Sequence, residues 1–165
     1  MDAVAALLQS FDDAWKDPFE SLTDACVDLT EEESVWQPPA YKREPHDKGV
    51  GRPGSILWHL NHLEMCHRHY IATLKTRDPD NSPDTDPPGE LALKPALKAL
   101  GDATLELREV IAELKPEDLS VMVRPKMSIA GFVAMLTRHI TWHAAQIKQT
   151  RRLHATRART GKVDE

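Results

Sequence analysis

Apolar residues recur every three or four positions along four stretches of the chain, which is the spacing of one face of an α-helix. The first stretch runs from Ala3 to about Leu29, and Pro18 is expected to kink or interrupt it. The second begins after Ser55 and the fourth near Ser128, and serine often caps the start of a helix. The third has a leucine-rich seam at steps of three and four, which is typical of helices packed nearly parallel. Strand signals are absent from the sequence, so we predict four helices.

Prolines and glycines separate these stretches at three places, namely residues 36–54, 77–88 and 115–126. Four amphipathic helices can bury their apolar stripes together only by packing against one another. The sequence therefore predicts an all-α, four-helix bundle with a long first connection, although it does not fix the order of the helices. We expect one bundle domain over residues 1–155, followed by a basic and disordered tail over residues 156–165.

The composition argues against several classes of protein. No apolar stretch reaches the length of a membrane span, no signal peptide is apparent, and there are only two cysteines, so we expect a cytoplasmic protein without a membrane partner. The net charge is −5, but residues 148–165 are basic, since they contain six Lys/Arg residues and two acidic ones. Basic residues suit the negative end of a closing helix, so nucleic acid is not expected as a partner. Phosphate-binding glycine loops, nucleophile elbows and dinucleotide fingerprints are absent from the sequence.

Histidines are the strongest candidates for chemistry. His139 and His143 lie four residues apart and share the apolar face of the last predicted helix, where an unpaired polar ring is costly. The second predicted helix offers possible partners, which form one stripe: His59, His62, Cys66 and His69. From spacing alone, the buried rings either bind a metal ion or hydrogen-bond to other groups.

The number of ligands matters for function. Three histidines leave a coordination position open, which suits chemistry at the ion, whereas a closed structural site normally has four protein ligands. Cys66 lies one turn from His62, so it is either a fourth ligand or a small core residue.

Two segments resemble the DinB/YfiT-like superfamily, and they read GSILWHLNHLE from residue 54 and HITWHAAQI from residue 139. The family pattern has a histidine before a leucine and an acidic residue in the second helix, then His-x-x-x-His in the last helix. His62 precedes Leu63 and Glu64 as the pattern requires, and His139 and His143 supply the later pair. The resemblance covers most of the chain, and it implies a site on these three histidines that holds zinc or nickel, with water at the open positions.

The sequence leaves open which histidine of the second predicted helix is the ligand and which residue is the general base. His59 also precedes a leucine, so an alignment shifted by one turn would make it the ligand. We prefer His62 because the acidic residue two positions later follows the pattern. His59 then either hydrogen-bonds to a ligand or lies at the rim of the site. Glu64, His59 and His69 are the candidates for a general base.

The resemblance also implies a function, since superfamily members include metal-dependent hydrolases, thiol-dependent transferases and maleylpyruvate isomerases. We therefore expect a metal-dependent hydrolase or a thiol S-transferase that acts on a small molecule. The thiol would be of low molecular weight, such as bacillithiol or mycothiol. The alternative is a non-catalytic metal-binding or stress-response protein in which the ion is structural. We also expect a homodimer, because bundles of this type often pair through the outer faces of their helices.

Overall fold

The computed structural model describes residues 2–39, 50–78 and 89–160. Within these ranges the chain forms α-helices, a short 3-10 helix and a small antiparallel sheet. The elements are α1 (Ala3–Lys16), α2 (Leu22–Ala25), α3 (Glu31–Val35), α4 (Ile56–Thr76), α5 (Leu93–Ala112), the 3-10 helix (Pro116–Ser120), β1 (Met122–Arg124), β2 (Met127–Ser128) and α6 (Ile129–Thr160). The first two predicted breaks lie partly outside the described residues.

Four long helices, α1, α4, α5 and α6, pack as a bundle, which confirms the predicted all-α architecture. Their order around the bundle is α1, α5, α4, α6, because α1 and α4 each pack against both α5 and α6. The two helices that carry the histidine pattern, α4 and α6, are therefore neighbours. The largest fully buried aliphatic and aromatic side chains that fill the space between the helices are Phe11, Leu60, Leu63, Leu107, Ile111, Phe132, Leu136 and Ile140.

The first helix is shorter than the sequence predicted. α1 ends at Lys16, and Asp17 has an extended backbone because the ring of Pro18 disfavours a helical residue before it. The chain then turns through Glu20, whose φ of 61° is left-handed, and α2 begins after Ser21. The interruption expected at Pro18 is therefore confirmed, but the helix does not resume as far as Leu29, and the long connection to α4 contains only the short helices α2 and α3.

The expectation of no strands was also wrong, although the sheet is small. β1 and β2 pair antiparallel, with Met122 opposite Ser128 and Arg124 opposite Met127. A two-residue turn joins them, and its second residue, Lys126, has a φ of 66°. Strands of three and two residues are too short to give a detectable alternation of polar and apolar positions.

Serine caps fix the starts of the two histidine-bearing helices, as the sequence predicted. The Ser55 hydroxyl accepts a hydrogen bond from the Trp58 amide at 3.2 Å, at the start of α4. The Ser128 hydroxyl accepts one from the Gly131 amide at 3.3 Å, at the start of α6. Both interactions satisfy amides that have no partner within the helix, and so they set where each helix begins.

The C-terminal end of α6 continues as helix to Thr160, past the boundary that we expected at residue 155. Two of its basic side chains pair with the connection between α1 and α4: Lys148 binds Asp24, and Arg151 binds Glu33 at 3.2 Å. These ion pairs tie α6 to α2 and α3. Residues 161–165 lie outside the described residues. No helix in the described ranges is long and apolar enough to cross a membrane.

A buried asparagine holds two connections against the start of α4. The Asn61 side-chain amide donates to the carbonyl oxygens of Val50, Leu57 and Glu90 at 2.9–3.1 Å. Its oxygen accepts a hydrogen bond from the Glu90 amide at 2.8 Å. Because Asn61 directly precedes His62, this network fixes the backbone where the histidine stripe begins.

Candidate metal centre

A stripe of polar residues on α4 faces α6. The stripe has steps of three, four and four residues, so its members lie on one face of the helix: His59, His62, Cys66 and Tyr70. Opposite it, α6 carries His139 and His143 one turn apart. The predicted pairing of the two histidine-bearing helices is therefore present in the fold.

His143 is the deepest of these residues, with a side chain that is 0% exposed. Its Nδ1 lies 2.8 Å from Nδ1 of His59, and its Nε2 lies 3.0 Å from Nε2 of His139. In each of these contacts one nitrogen carries a hydrogen and donates a hydrogen bond, and the other nitrogen accepts that bond. The His143 ring is thus held at one nitrogen by α4, while its other nitrogen points toward His139.

His139 repeats this arrangement with a different partner. Its Nδ1 lies 3.0 Å from the Tyr70 hydroxyl, which leaves Nε2 facing His143. The buried Tyr70 ring packs edge-on against Phe132 with ring centroids 5.5 Å apart, so the hydroxyl is firmly placed. Both α6 histidines therefore have Nδ1 fixed by a residue of α4, which is how proteins commonly orient metal-binding imidazoles.

The remaining donors come from α4. Nε2 of His62 lies 3.5 Å from the Cys66 sulfur, and the His62 ring stacks on Trp58 with centroids 5.1 Å apart. Among the residues that the structure describes, His62, Cys66 and His139 form a group whose potential ligand atoms all lie within 4.8 Å of one another. The predicted ligand His143 is not a member of this group, and it adjoins the group through its Nε2 contact of 3.0 Å with His139. We call these four residues the donor cluster.

Burial keeps the α6 histidines neutral. Burial, and after it the charge of His62, lower the pKa of His139 to about 4. The pKa of His143 is also well below its ordinary value, first because of burial and then because of the surrounding histidines. Neutral imidazole is the form that binds metal, so these rings need not lose a proton to do so at pH 7.

Two of the separations between donors are close to those around a tetrahedral ion. With zinc–nitrogen bonds of about 2.0–2.1 Å and a zinc–sulfur bond of about 2.3 Å, a tetrahedron places two nitrogens about 3.3 Å apart and a nitrogen and a sulfur about 3.6 Å apart. The observed separations are 3.0 Å for the two Nε2 atoms of His139 and His143, and 3.5 Å for His62 Nε2 and Cys66 Sγ. Imidazole and thiolate donors suit zinc, nickel or cobalt, whereas magnesium and calcium prefer oxygen.

The resemblance to the DinB/YfiT-like superfamily is confirmed by comparison with known proteins. A sequence model of the DinB superfamily matches residues 14–147, which is most of the chain. The chain belongs to the DinB superfamily. Comparison with curated proteins and with solved structures finds no significant match.

This DinB-superfamily chain places the three candidates for a general base in different surroundings. Glu64 is buried and pairs with Arg68 at 3.0 Å, and Arg68 in turn contacts Glu106 of α5, so this carboxylate serves the α4–α5 packing. His69 is half-buried on α4 and does not belong to the group of close donors. His59 is the candidate nearest the cluster, through its contact with Nδ1 of His143.

Sequence reasoning missed the role of Tyr70 in this DinB-superfamily protein. The sequence placed Tyr70 only in the apolar seam of α4, yet its hydroxyl contacts His139. A signal was present, because His62, Cys66 and Tyr70 follow one another at steps of four residues and so lie on one helix face. Which of them meets α6 depends on how the two helices pack, and that is set by residues far apart in the sequence.

Proposed function

We propose that this DinB-superfamily protein binds one divalent transition-metal ion between α4 and α6 and acts on a small molecule by hydrolysis or by transfer to a thiol. The observation that carries the proposal is the matched orientation of His139 and His143. Each has Nδ1 held by an α4 side chain, and their Nε2 atoms lie 3.0 Å apart. Contacts of this kind behind the ring are how proteins orient histidines that bind metal.

The proposed ligands are His62, His139 and His143, and the proposed ion is zinc or nickel. All three side chains offer neutral nitrogen donors from two neighbouring helices, which suits a borderline divalent ion. When bound, such an ion would supply Lewis acidity that lowers the pKa of a coordinated water or thiol. The family match over residues 14–147 supports the proposal at the level of the superfamily.

The protein's own residues would define the approach and the proton positions. His143 is fully buried, whereas His62 and His139 are half-buried, so a small molecule would reach the site past these two rings. If His143 coordinates through Nε2, its Nδ1 carries the proton and donates to Nδ1 of His59. His59 then carries its own hydrogen on Nε2, so it can donate a hydrogen bond to a bound group, but in this state it has no free nitrogen to act as a base.

A second candidate function is a non-catalytic one, in which the ion joins α4 to α6. The observation that favours it is the Cys66 sulfur, 3.5 Å from Nε2 of His62, because a fourth protein ligand would close the coordination sphere.

The two candidates predict different results in activity assays. The catalytic candidate requires that metal-loaded protein hydrolyse activated esters or consume a low-molecular-weight thiol with an electrophile, and that His139→Ala abolish this activity.

Metal content tests the ligand assignment directly. We expect His62→Ala, His139→Ala and His143→Ala each to lower metal affinity by more than about 100-fold, since even partners behind a ligand contribute 10–100-fold. The measurement is elemental analysis of protein purified without an affinity tag, with circular dichroism as a check of the fold. His154→Ala is the control, because this histidine lies 3.8 Å from Glu32, away from the donor cluster, and it should retain the metal.

Two results would contradict the assignment in different ways. If His59→Ala empties the site while His62→Ala leaves it filled, the ligand on α4 is one turn away from the proposed one. If none of the three substitutions changes metal content, the buried histidines are core residues that satisfy one another by hydrogen bonds.

A further inference from the structure

We propose that Cys66 is a fourth protein ligand, so that the centre consists of three imidazoles and one thiolate. This inference rests on the proposed metal centre and specifies its coordination. A three-histidine site would leave the sulfur as a bystander. The contacts around Cys66 argue that the sulfur is part of the site.

The Cys66 sulfur lies at the distance from His62 that two ligands of one ion would have. Cys66 lies one turn after His62 on α4, and its sulfur is 3.5 Å from His62 Nε2. A nitrogen and a sulfur on one tetrahedral zinc ion are about 3.6 Å apart, so the two side chains need hardly move to share an ion. The sulfur also lies within 4.8 Å of a ring nitrogen of His139, on the opposite helix. The sulfur therefore stands between donors from both helices.

Tyr70 lies one turn after Cys66 on α4 and contacts the donors of both helices. Its hydroxyl contacts Nδ1 of His139 at 3.0 Å and also hydrogen-bonds to Cys66. If His139 coordinates through Nε2, its Nδ1–H donates to the Tyr70 oxygen, and the Tyr70 proton is then available for the Cys66 sulfur. A single hydroxyl thus holds one imidazole and one sulfur toward the same point, and a hydrogen-bond donor of this kind stabilises a thiolate.

The other cysteine shows what a purely structural thiol looks like in this chain. Cys26 lines an apolar cavity with Trp15, Leu22 and Leu60, between the first connection and the bundle. Burial raises the pKa of the Cys26 thiol to about 12, so it stays protonated. Cys66 instead has two imidazoles and a phenol around it. The two cysteines are similarly half-buried, so Cys26 is a matched control for Cys66.

Coordination by Cys66 has a consequence for the proposed reaction. On binding, the thiol gives up its proton to solvent and the sulfur takes the position that an external water or thiol would occupy in a three-histidine site. A substrate could then reach the ion only by adding a fifth ligand or by displacing the sulfur. With Cys66 as a ligand, the catalytic candidate requires one of these two steps, whereas the candidate in which the ion joins α4 to α6 requires neither.

The test uses cobalt(II) bound to the full-length protein, because thiolate coordination to cobalt gives an intense charge-transfer band in the near ultraviolet and imidazole does not. We expect this band in the wild-type protein and in Cys26→Ser. We expect it to be absent from Cys66→Ser and Cys66→Ala, while the weaker visible bands of cobalt bound to histidine persist. Cobalt or zinc should also slow alkylation of Cys66 by iodoacetamide by more than about tenfold, with Cys26→Ser protein used so that a single thiol reacts.

The outcomes separate this inference from the proposed function. A wild-type protein that binds cobalt with visible bands but without the near-ultraviolet band would overturn Cys66 ligation and leave the three-histidine site intact. A band that survives in Cys66→Ala would also overturn it. A protein that binds no cobalt, and shows no alkylation difference, would refute both the ligand and the metal centre.

Discussion

Removing the Tyr70 hydroxyl tests whether the hydrogen bonds behind the donor cluster contribute to metal binding. Tyr70→Phe keeps a ring of nearly the same volume in its buried position against Phe132. It deletes the oxygen that lies 3.0 Å from Nδ1 of His139 and that hydrogen-bonds to Cys66. The substitution therefore removes two polar contacts and leaves the packing and the ligand atoms in place.

The expected loss can be worked out from these contacts. A hydrogen-bond partner behind a metal-binding histidine typically contributes 10–100-fold to metal affinity, which corresponds to about 1.4–2.7 kcal/mol. Tyr70 touches two members of the cluster, so we expect the upper half of this range. In the metal-free protein the free energy of unfolding should fall by only about 1 kcal/mol, because half-buried His139 can be partly solvated instead.

The assay is a competition titration of the metal-free protein against a chromophoric chelator, alongside urea unfolding of the metal-free protein. Thr104→Val is the matched control. The Thr104 hydroxyl lies 3.1 Å from Nδ1 of His67 and donates to the carbonyl of Leu100, so its removal also deletes a buried hydroxyl from a histidine of α4. His67 is outside the group of close donors, so Thr104→Val should lower stability and leave metal affinity within about threefold.

A change of less than about threefold in the affinity of Tyr70→Phe would refute the reasoning. The hydroxyl would then stabilise the fold without orienting a ligand. An equal loss of affinity in Thr104→Val and Tyr70→Phe would refute it too, because the effect would follow from lower stability of the bundle and not from the contact with His139.

Two further predictions concern pH and assembly. Burial lowers the pKa of His67 to about 3, helped by charges on His139 and Arg68, so between pH 6.5 and 3 the unfolded chain binds a proton that the folded chain does not. The free energy of unfolding should therefore fall as the pH drops below about 6.5. In urea unfolding of the metal-free proteins, His67→Gln should lose about 1–2 kcal/mol less of this free energy than the wild type between pH 7 and pH 5. Equal losses in the two proteins would contradict this. The homodimer stays a prediction, and a monomeric mass by light scattering at high protein concentration would reject it.

The helices that carry the site could be predicted because local signals agree with tertiary packing. Ser55 and Ser128 cap α4 and α6, and the apolar spacing continues without proline through both helices. The first segment was predicted only in part. The break at Pro18 was expected and α1 ends there, but the apolar spacing beyond it, up to Leu29, belongs to a connection that contains only the short helix α2.

The site itself could be predicted only in part. Spacing alone put His139 and His143 on the inward face, and the family pattern singled out His62. The choice between His59 and His62 could not come from spacing, since both lie on the α4 face toward α6. The structure gives them different neighbours, with His59 at Nδ1 of His143 and His62 beside Cys66. That distinction depends on the rotation of α4 against α6, which many core contacts set together.

Metal-induced stabilisation cannot by itself separate the two candidate functions. His62 and Cys66 lie on α4, and His139 and His143 lie on α6, so any ion held by this set links two helices that are distant in the sequence. An ion that binds only the folded chain stabilises it by RT ln(1 + [L]/Kd), which is about 2.7 kcal/mol at a metal concentration of 100 Kd, whether or not it also catalyses a reaction. A rise in melting temperature is therefore expected from a catalytic and from a structural ion alike. The coordination number is what differs, because a structural ion needs its fourth position filled by the protein. Cys66 is the described residue placed to fill it, so the chemistry of this one sulfur decides between the two functions.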